Sequence, residues 1–331
     1  MKIKQTRKHL NDLVTTGIVP GISYAILDNN QVQLEVRGNS QIIPRQRPLR
    51  YGMLYDVASL TKVVGTTTLV LKLRNEGKLT LQDPISNYLP LFKDSRVTIQ
   101  HLLTHTSAIS GYIPHRNELP PQQLLTALDQ LPVQEWIGKK VVYTDVGLIM
   151  LGQIIEYFYH QPVQHVITNE VLKPLGLTES TFTPLKDQCV PTELNSKRGL
   201  IQGEVHDPKA YILKEHCGSA GLFMSLNDLV KFAQWILIKN KHRKVLNEDT
   251  IQSLFHDWTP TGKLQRSLGW DLRYSPDKTP WIYHTGYTGT FILLSKQRDQ
   301  GLIVLTNRIH PSTNNEVFLD QRKKIVTEFI A

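Results

Sequence analysis

A chain of 331 residues, 40% of them hydrophobic and 20% charged, carries enough apolar material for a large core and two structural lobes, which excludes a disordered or low-complexity protein. Its net charge of +9 comes from lysines and arginines spread along the sequence, with modest clusters at KIKQTRKH and QRKK near the two ends and no aromatic-basic module beside them. Nucleic acid is therefore not an expected partner. Cys189 and Cys217, the two cysteines, cannot make a disulfide framework and are read as free thiols.

The opening MKIKQTRKHLNDLVTTG has a basic start without the continuous apolar run of a secretory signal, and reads as an amphipathic helix ending near Gly17. No stretch reaches the roughly 18 apolar residues that a membrane span needs. The chain as written is expected to be cytoplasmic, with cell-envelope association the alternative for a chain whose N-terminus was trimmed. GISYAILDNN and QVQLEVRGNS have strand composition and alternation and predict a hairpin across Asp28, Asn29 and Asn30. From Asp56 to about Leu185 the pattern is mainly helical, through TIQHLLTHTS, PQQLLTALDQL, DVGLIMLGQIIEYFYH and PVQHVITNEVLKPLG. NDLVKFAQWILIKN is a further helix. SLGWDLRYS, PWIYHTG, TFILLSKQ and GLIVLTNR then return to strands, and NNEVFLDQRKKIVTEFIA closes the chain as a helix. Strand groups at both ends of a helical middle predict an α+β fold: one antiparallel sheet built from both chain ends, terminal helices on one face, and an inserted, mainly helical lobe. The expected organisation is a single domain over 1–331, with 1–55 and about 190–331 forming the α/β lobe and about 56–189 the helical lobe.

Within YDVASLTKVVGTTTLVLKL, Asp56 is an N-cap candidate, and Ser59 and Lys62 share one face of the first turn, where a serine can act as nucleophile. S-x-x-K recurs at Ser275 to Lys278, but Pro276 and Asp277 mark a turn there, so only the first copy offers a shared helical face. A lysine in an apolar pocket has a depressed pKa and can take the serine's proton. Tyr143, in VVYTDVG before a helix capped by Asp145, projects from a loop and can relay that proton; a lone tyrosine is otherwise a packing residue. In YHTGYTGTFILL a strand carrying His284 and Thr285 runs into Gly286 and Gly289, which suits either a substrate-binding edge or a plain hairpin turn. His101 and His105 in HLLTH have the i, i+4 spacing of zinc ligands but lack the companion glutamate, and are read as buried, hydrogen-bonded histidines. No metal or other cofactor is expected. Ser219 in CGSAG is a rival nucleophile better read as part of a loop lining a cleft.

Taken in order, S-x-x-K on a buried helix, Y-x-D on a loop and H-T-G on a late strand resemble the penicillin-recognising serine hydrolases. The sequence is most similar to their class C β-lactamase branch, which includes D-alanyl-D-alanine carboxypeptidases and related esterases. The likeness runs from Pro20 to Pro311 through YDVASLTK, TIQHLLTHTS, YTDVGLIMLGQIIE, GSAGLFMSLNDLVKF, HTGYTGT and VLTNRIHP. It implies that Ser59 is acylated, that Lys62 and Tyr143 manage its proton, and that the backbone N–H groups of Ser59 and Tyr287 form the oxyanion hole. Asp145, His284, Thr285 and Gly286 are the substrate-binding residues on the same reading. Two departures matter: Asp145 stands where β-lactam-hydrolysing relatives commonly carry an amide, and His284 where they carry lysine. An acidic group beside the acyl portion and the loss of a permanent cation both weaken carboxylate anchoring. The implied function is an acyl-enzyme hydrolase of penicillin-binding-protein-like carboxypeptidase or esterase type. Its substrate is a small molecule or peptide, D-Ala-containing peptides among them. β-Lactams are expected as covalent ligands, with weak hydrolysis at most. The alternative is a slowly deacylating binding protein or sensor.

Overall fold

A computed structural model describes residues 2–29, 31–238 and 244–331. Asn30 at the expected hairpin tip and the last two residues of NDLVKFAQWILIKN lie outside the described residues. The strands are β1 (Gly21–Asp28), β2 (Gln31–Gln41), β3 (Arg47–Pro48), β4 (Tyr55–Asp56), β5 (Leu194–Asn195), β6 (Gly199–Leu200), β7 (Phe223–Met224), β8 (Asp271–Tyr274), β9 (Pro280–Thr285), β10 (Phe291–Ser295) and β11 (Gln300–Thr306). Seven of them form one sheet in the order β3-β2-β1-β11-β10-β9-β8. Its strands pair antiparallel, and β1 joins β11 with Ile22 opposite Thr306 and Asp28 opposite Gln300. The sheet is thus assembled from both chain ends, as the two strand groups predict.

The central strands are apolar throughout because both of their faces are covered. Alternate residues divide between two cores, as period-two geometry requires. Ile22, Tyr24, Ile26, Phe291, Leu293, Leu302 and Val304 pack with Leu10, Leu13, Phe318, Ile325 and Phe329 of the terminal helices α1 (Lys2–Thr15) and α10 (Glu316–Ile330). Ala25, Leu27, Ile292, Leu294, Ile303 and Leu305 face the opposite way, into the larger core shared with the helical lobe. That core is filled by α2 (Thr67–Asn75), α3 (Ile99–Leu103), α5 (Val146–Tyr159), α6 (Val163–Ile167), α8 (Leu226–Leu237) and α9 (Glu248–Ser253) with their connections, while α4 (Pro121–Asp129) and α7 (Pro208–Leu213) pack Leu124, Leu128, Ala210 and Leu213 with Ile149 and Cys217 in a separate small core. Among the described residues no helix is long and apolar enough to cross a membrane.

The stretch after Ser59 departs from a regular α-helix. Ala58 and Ser59 form a turn, helical backbone begins at Leu60, and Lys62–Thr66 is π-helical before α2 takes over. KVVGT combines β-branched residues with a glycine, so its α-propensity is low and packing decides its winding. Gly65 sits against Ile167, whose Cδ1 would lie 2.8 Å from any added Cβ. Asp56 does not cap this helix. It belongs to β4, where its carboxylate accepts the Ala58 N–H at 2.9 Å and the His206 N–H at 2.7 Å.

Candidate active site

Ser59 is seated by contacts from two directions. β4 pairs with β7, the Val57 N–H donates to the Leu222 carbonyl at 3.1 Å, and the Leu222 N–H donates to Thr61 Oγ1 at 3.1 Å. Ala58 takes the left-handed conformation, φ 47°, which costs an alanine about 1–2 kcal/mol and leads into Ser59, which is half-buried beside Lys62. Strain of this kind persists where surrounding bonds over-determine it, and the two hydrogen bonds of Asp56 flank it directly.

Lys62 is buried, and an ammonium has three donors. It donates to Ser59 Oγ at 2.7 Å, to the Ser219 carbonyl at 2.9 Å and to Asp145 Oδ1 at 2.8 Å, so every proton is engaged. Burial alone would lower its pKa, but the interactions with Tyr143 and Asp145 outweigh burial and raise it above the ordinary lysine value. The depressed pKa expected from an apolar pocket is therefore wrong, because the pocket holds a counterion. Asp145 occupies the N-cap position of α5 without capping it by its side chain. Its other oxygen lies 3.0 Å from Lys209 Nζ. Burial pushes the Asp145 carboxyl up, yet the two lysines hold it well below the usual carboxylate range. Asp145 is accordingly not a bare negative charge facing substrate, as the motif suggests; it is neutralised from both sides.

Tyr143 stands about half exposed at the rim. Its ring stacks obliquely on His105 at 4.6 Å and lies 6.0 Å from the ring of His284. Lys62 Nζ is 5.4 Å and the Arg266 guanidinium 5.6 Å from its centroid. His105 and His284 are both buried, and desolvation, followed by the field of Arg266, pushes both pKa values well below the ordinary value. His284 is thus neutral at pH 7, with its Nδ1–H donating to the Thr285 carbonyl at 3.1 Å. Arg266 is 7% exposed, and its Nε and Nη2 have no hydrogen-bond acceptor among the described residues. With Tyr143, Asp271, Tyr283, His284 and Thr285 it lines a cavity of about 240 Å³.

The H-T-G segment is stitched to the nucleophile turn. Thr288 Oγ1 donates to the Asp56 carbonyl at 2.7 Å and Thr290 Oγ1 to the Val57 carbonyl at 3.1 Å. A Cβ on Gly286 would lie 2.5 Å from the Val57 carbonyl oxygen and 2.2 Å from Thr290 Oγ1, so Gly286 permits protein to approach protein rather than substrate to approach the strand. These bonds tie the segment carrying Tyr287 to the turn carrying Ser59, and neither backbone N–H donates to an acceptor among the described residues. Tyr287 is clamped from both sides: His206 stacks on its ring at 5.5 Å, Arg308 sits 5.1 Å from its centroid, and Arg308 Nε donates to its carbonyl at 2.9 Å.

The structure therefore gathers Ser59, Lys62, Tyr143, Asp145, His284, Thr285, Gly286 and Tyr287 around one cleft. Lys209 and Arg266 join them without having been singled out by spacing, and His105, singled out only for its spacing to His101, joins them at Tyr143; each comes from a different segment and only tertiary packing brings them in. The remaining candidates fall away. Ser219 is fully buried and gives its carbonyl to Lys62, while the Ser275 hydroxyl donates to Asp277 at 2.6 Å within a turn. α3 ends at Leu103, so His101 and His105 do not share a helix face; His101 bonds Thr98, and His105 turns back toward Tyr143. Both cysteines are buried free thiols.

The chain belongs to the Beta-lactamase family, whose match extends over residues 6–323, and is a serine hydrolase of that family. Among curated relatives it is 28% identical over 374 aligned positions to the N-acetylmuramyl-L-alanine amidase of Bacillus subtilis (strain 168), covering 96% of this chain and 84% of that protein. Among solved structures, a class C beta-lactamase superposes with a TM-score of 0.80 at 21% identity, covering 99% of this chain and 95% of the other. A beta-lactamase/D-alanine carboxypeptidase from Pseudomonas syringae superposes with a TM-score of 0.77 at 17% identity, covering 99% and 98%.

Proposed function

We propose that this protein hydrolyses an amide or ester through an acyl-enzyme on Ser59, with preference for substrates whose leaving portion carries a carboxylate, as a terminal D-amino acid does. The observation that carries this reading is the Lys62 ammonium spent on Ser59 Oγ, Asp145 Oδ1 and the Ser219 carbonyl. A lysine so engaged positions the serine and does not accept its proton. Ser59 Oγ bonds to the carbonyl carbon while its proton passes to the Tyr143 oxygen, and Tyr143 gives its own proton to the departing nitrogen or oxygen. The carbonyl oxygen gathers negative charge against the N–H groups of Ser59 and Tyr287. Water then repeats the sequence in reverse and frees Ser59. Negative charge that develops on the phenol during the relay is met by Lys62 and Arg266.

Arg266 supplies the cation that neutral His284 cannot, but from behind the strand, through the cavity it shares with Thr285. That favours a slim leaving group over a fused β-lactam nucleus, consistent with weak β-lactamase activity. The carboxypeptidase and amidase names of its relatives support an amide substrate from peptidoglycan. The test is a steady-state comparison of a D-Ala-terminated peptide, its C-terminal amide, a neutral activated ester and a cephalosporin. Hydrolysis of the free-carboxylate peptide in preference to its amide supports the reading; indifference to the carboxylate, or rapid cephalosporin turnover, contradicts it. Arg266→Met is expected to raise KM for the carboxylate peptide on the order of 10- to 100-fold, since a bidentate charge-assisted contact is lost, and to affect the ester much less. The same variant is expected to be more stable by about 1–3 kcal/mol in thermal or denaturant unfolding, because it removes buried N–H groups that have no acceptor.

A further inference from the structure

Asp145 is held at both ends. Its Oδ1 meets Lys62 at 2.8 Å and its Oδ2 meets Lys209 at 3.0 Å. Lys209, on α7, is itself largely buried, with 12% side-chain exposure, and its ammonium is steadied by Asp207 Oδ2 at 3.4 Å. Asp207 is fixed in turn by capping α7, accepting the Ala210 N–H at 2.9 Å. Arg116 is the other charge that bears on Lys209, and it opposes the ammonium. The arrangement is a row of alternating charges, Lys62, Asp145, Lys209 and Asp207, running from the nucleophile to a helix start.

We propose that Lys209 is a positioning residue of this site, holding the outer oxygen of Asp145 so that only the inner oxygen meets Lys62 and the Lys62 ammonium keeps a proton on Ser59 Oγ. This rests on the reading of Ser59 as the acylated residue. A carboxylate freed of Lys209 has both oxygens available to Lys62, and the two can take donors that now serve Ser59 and the Ser219 carbonyl. The nucleophile then loses its orienting bond although no group that touches substrate has changed, and small misplacements of reacting groups are costly in rate.

The test uses the full chain and a neutral activated ester, with Lys209→Met, Lys209→Gln, Lys209→Arg and Asp145→Asn made singly, and Lys209→Met also made in the Asp145→Asn background. Expected are a fall in kcat on the order of 10- to 100-fold for Lys209→Met with little change in KM, a similar fall for Lys209→Gln, and recovery of most of the rate in Lys209→Arg. In the Asp145→Asn background there is no carboxylate to hold, so Lys209→Met should cost nothing further. Should Lys209→Met not fold, Lys209→Gln and Lys209→Arg carry the comparison. A folded neutral variant with wild-type kcat, or a loss equally large in the Asp145→Asn background, overturns the proposal. Ser59→Ala run alongside separates the two readings: activity surviving in it overturns the acyl-enzyme and this inference together, whereas a dead Ser59→Ala beside an unaffected Lys209→Met overturns this inference alone.

Discussion

Lys62→Ala and Tyr143→Phe are each expected to slow acylation by a factor on the order of 10² to 10⁴, the range for disabling a positioned proton relay, with substrate binding changed far less. Lys62 holds Ser59 Oγ at 2.7 Å and lies 5.4 Å from the centre of the Tyr143 ring, so it aligns the path by which the serine's proton reaches the phenol. Taking Lys62 away frees the serine to rotate off that path, while taking the phenol oxygen away removes the relay itself. Once either is gone, the other has little left to contribute, and the double variant should be little worse than the worse single one. Stopped-flow acylation with an activated ester, on folded proteins, measures all four members of the cycle. Independent, multiplying losses would mean that Lys62 and Tyr143 act separately.

The second large effect is on stability. Asp145→Asn leaves the buried Lys62 ammonium without its counterion and is expected to cost about 3–5 kcal/mol near neutral pH, the usual result of breaking one side of a buried ion pair. The sign of the pH dependence follows from the shifts. In the wild type the Lys62 pKa is raised, so its contribution is complete below the ordinary lysine value of 10.5 and is lost only as pH climbs through the raised value. The Asp145 pKa is lowered, so its contribution is complete above 3.8 and is lost as pH falls toward the depressed value. In Asp145→Asn burial is opposed by Tyr143 without Asp145, so the Lys62 pKa lies below its wild-type value. As pH rises between those two values the folded variant holds fewer protons than the folded wild type, so the variant gains stability relative to wild type there. Urea unfolding at a series of pH values reads this directly; a deficit that stays constant from acid to alkaline pH would show that Lys62 does not depend on Asp145.

Much of the architecture is legible in the sequence because it rests on local periodicity. The continuous apolar runs of GISYAILD and GLIVLT already signal strands covered on both faces, and their position at opposite chain ends forces one shared sheet. Ser59, Lys62, Tyr143 and His284 are legible because each sits in a short motif and the motifs occur in order. The charge state of Lys62 is not legible: an apolar neighbourhood and a counterion shift a lysine in opposite directions, and nothing in LTKVVG says which will win. Tyr143 and Asp145 decide it, and only the fold aims Asp145 at Lys62 rather than at the α5 N-terminus. Arg266 in QRSLGW and Lys209 in HDPKAY look like ordinary surface cations until packing buries them. The π-helical winding of KVVGT is likewise a compromise with neighbours such as Ile167 and has no local signature.

The central claim is that Ser59 carries the acyl group. Intact-protein mass spectrometry with peptide mapping, after exposure to a fluorophosphonate, a β-lactam and an activated ester, tests it most directly. The account predicts one covalent adduct per chain, on Ser59, absent from Ser59→Ala and forming slowly in Tyr143→Phe, with the ester adduct short-lived in the wild type. An adduct on Ser219 or Ser275, or full labelling and turnover in Ser59→Ala, would contradict it.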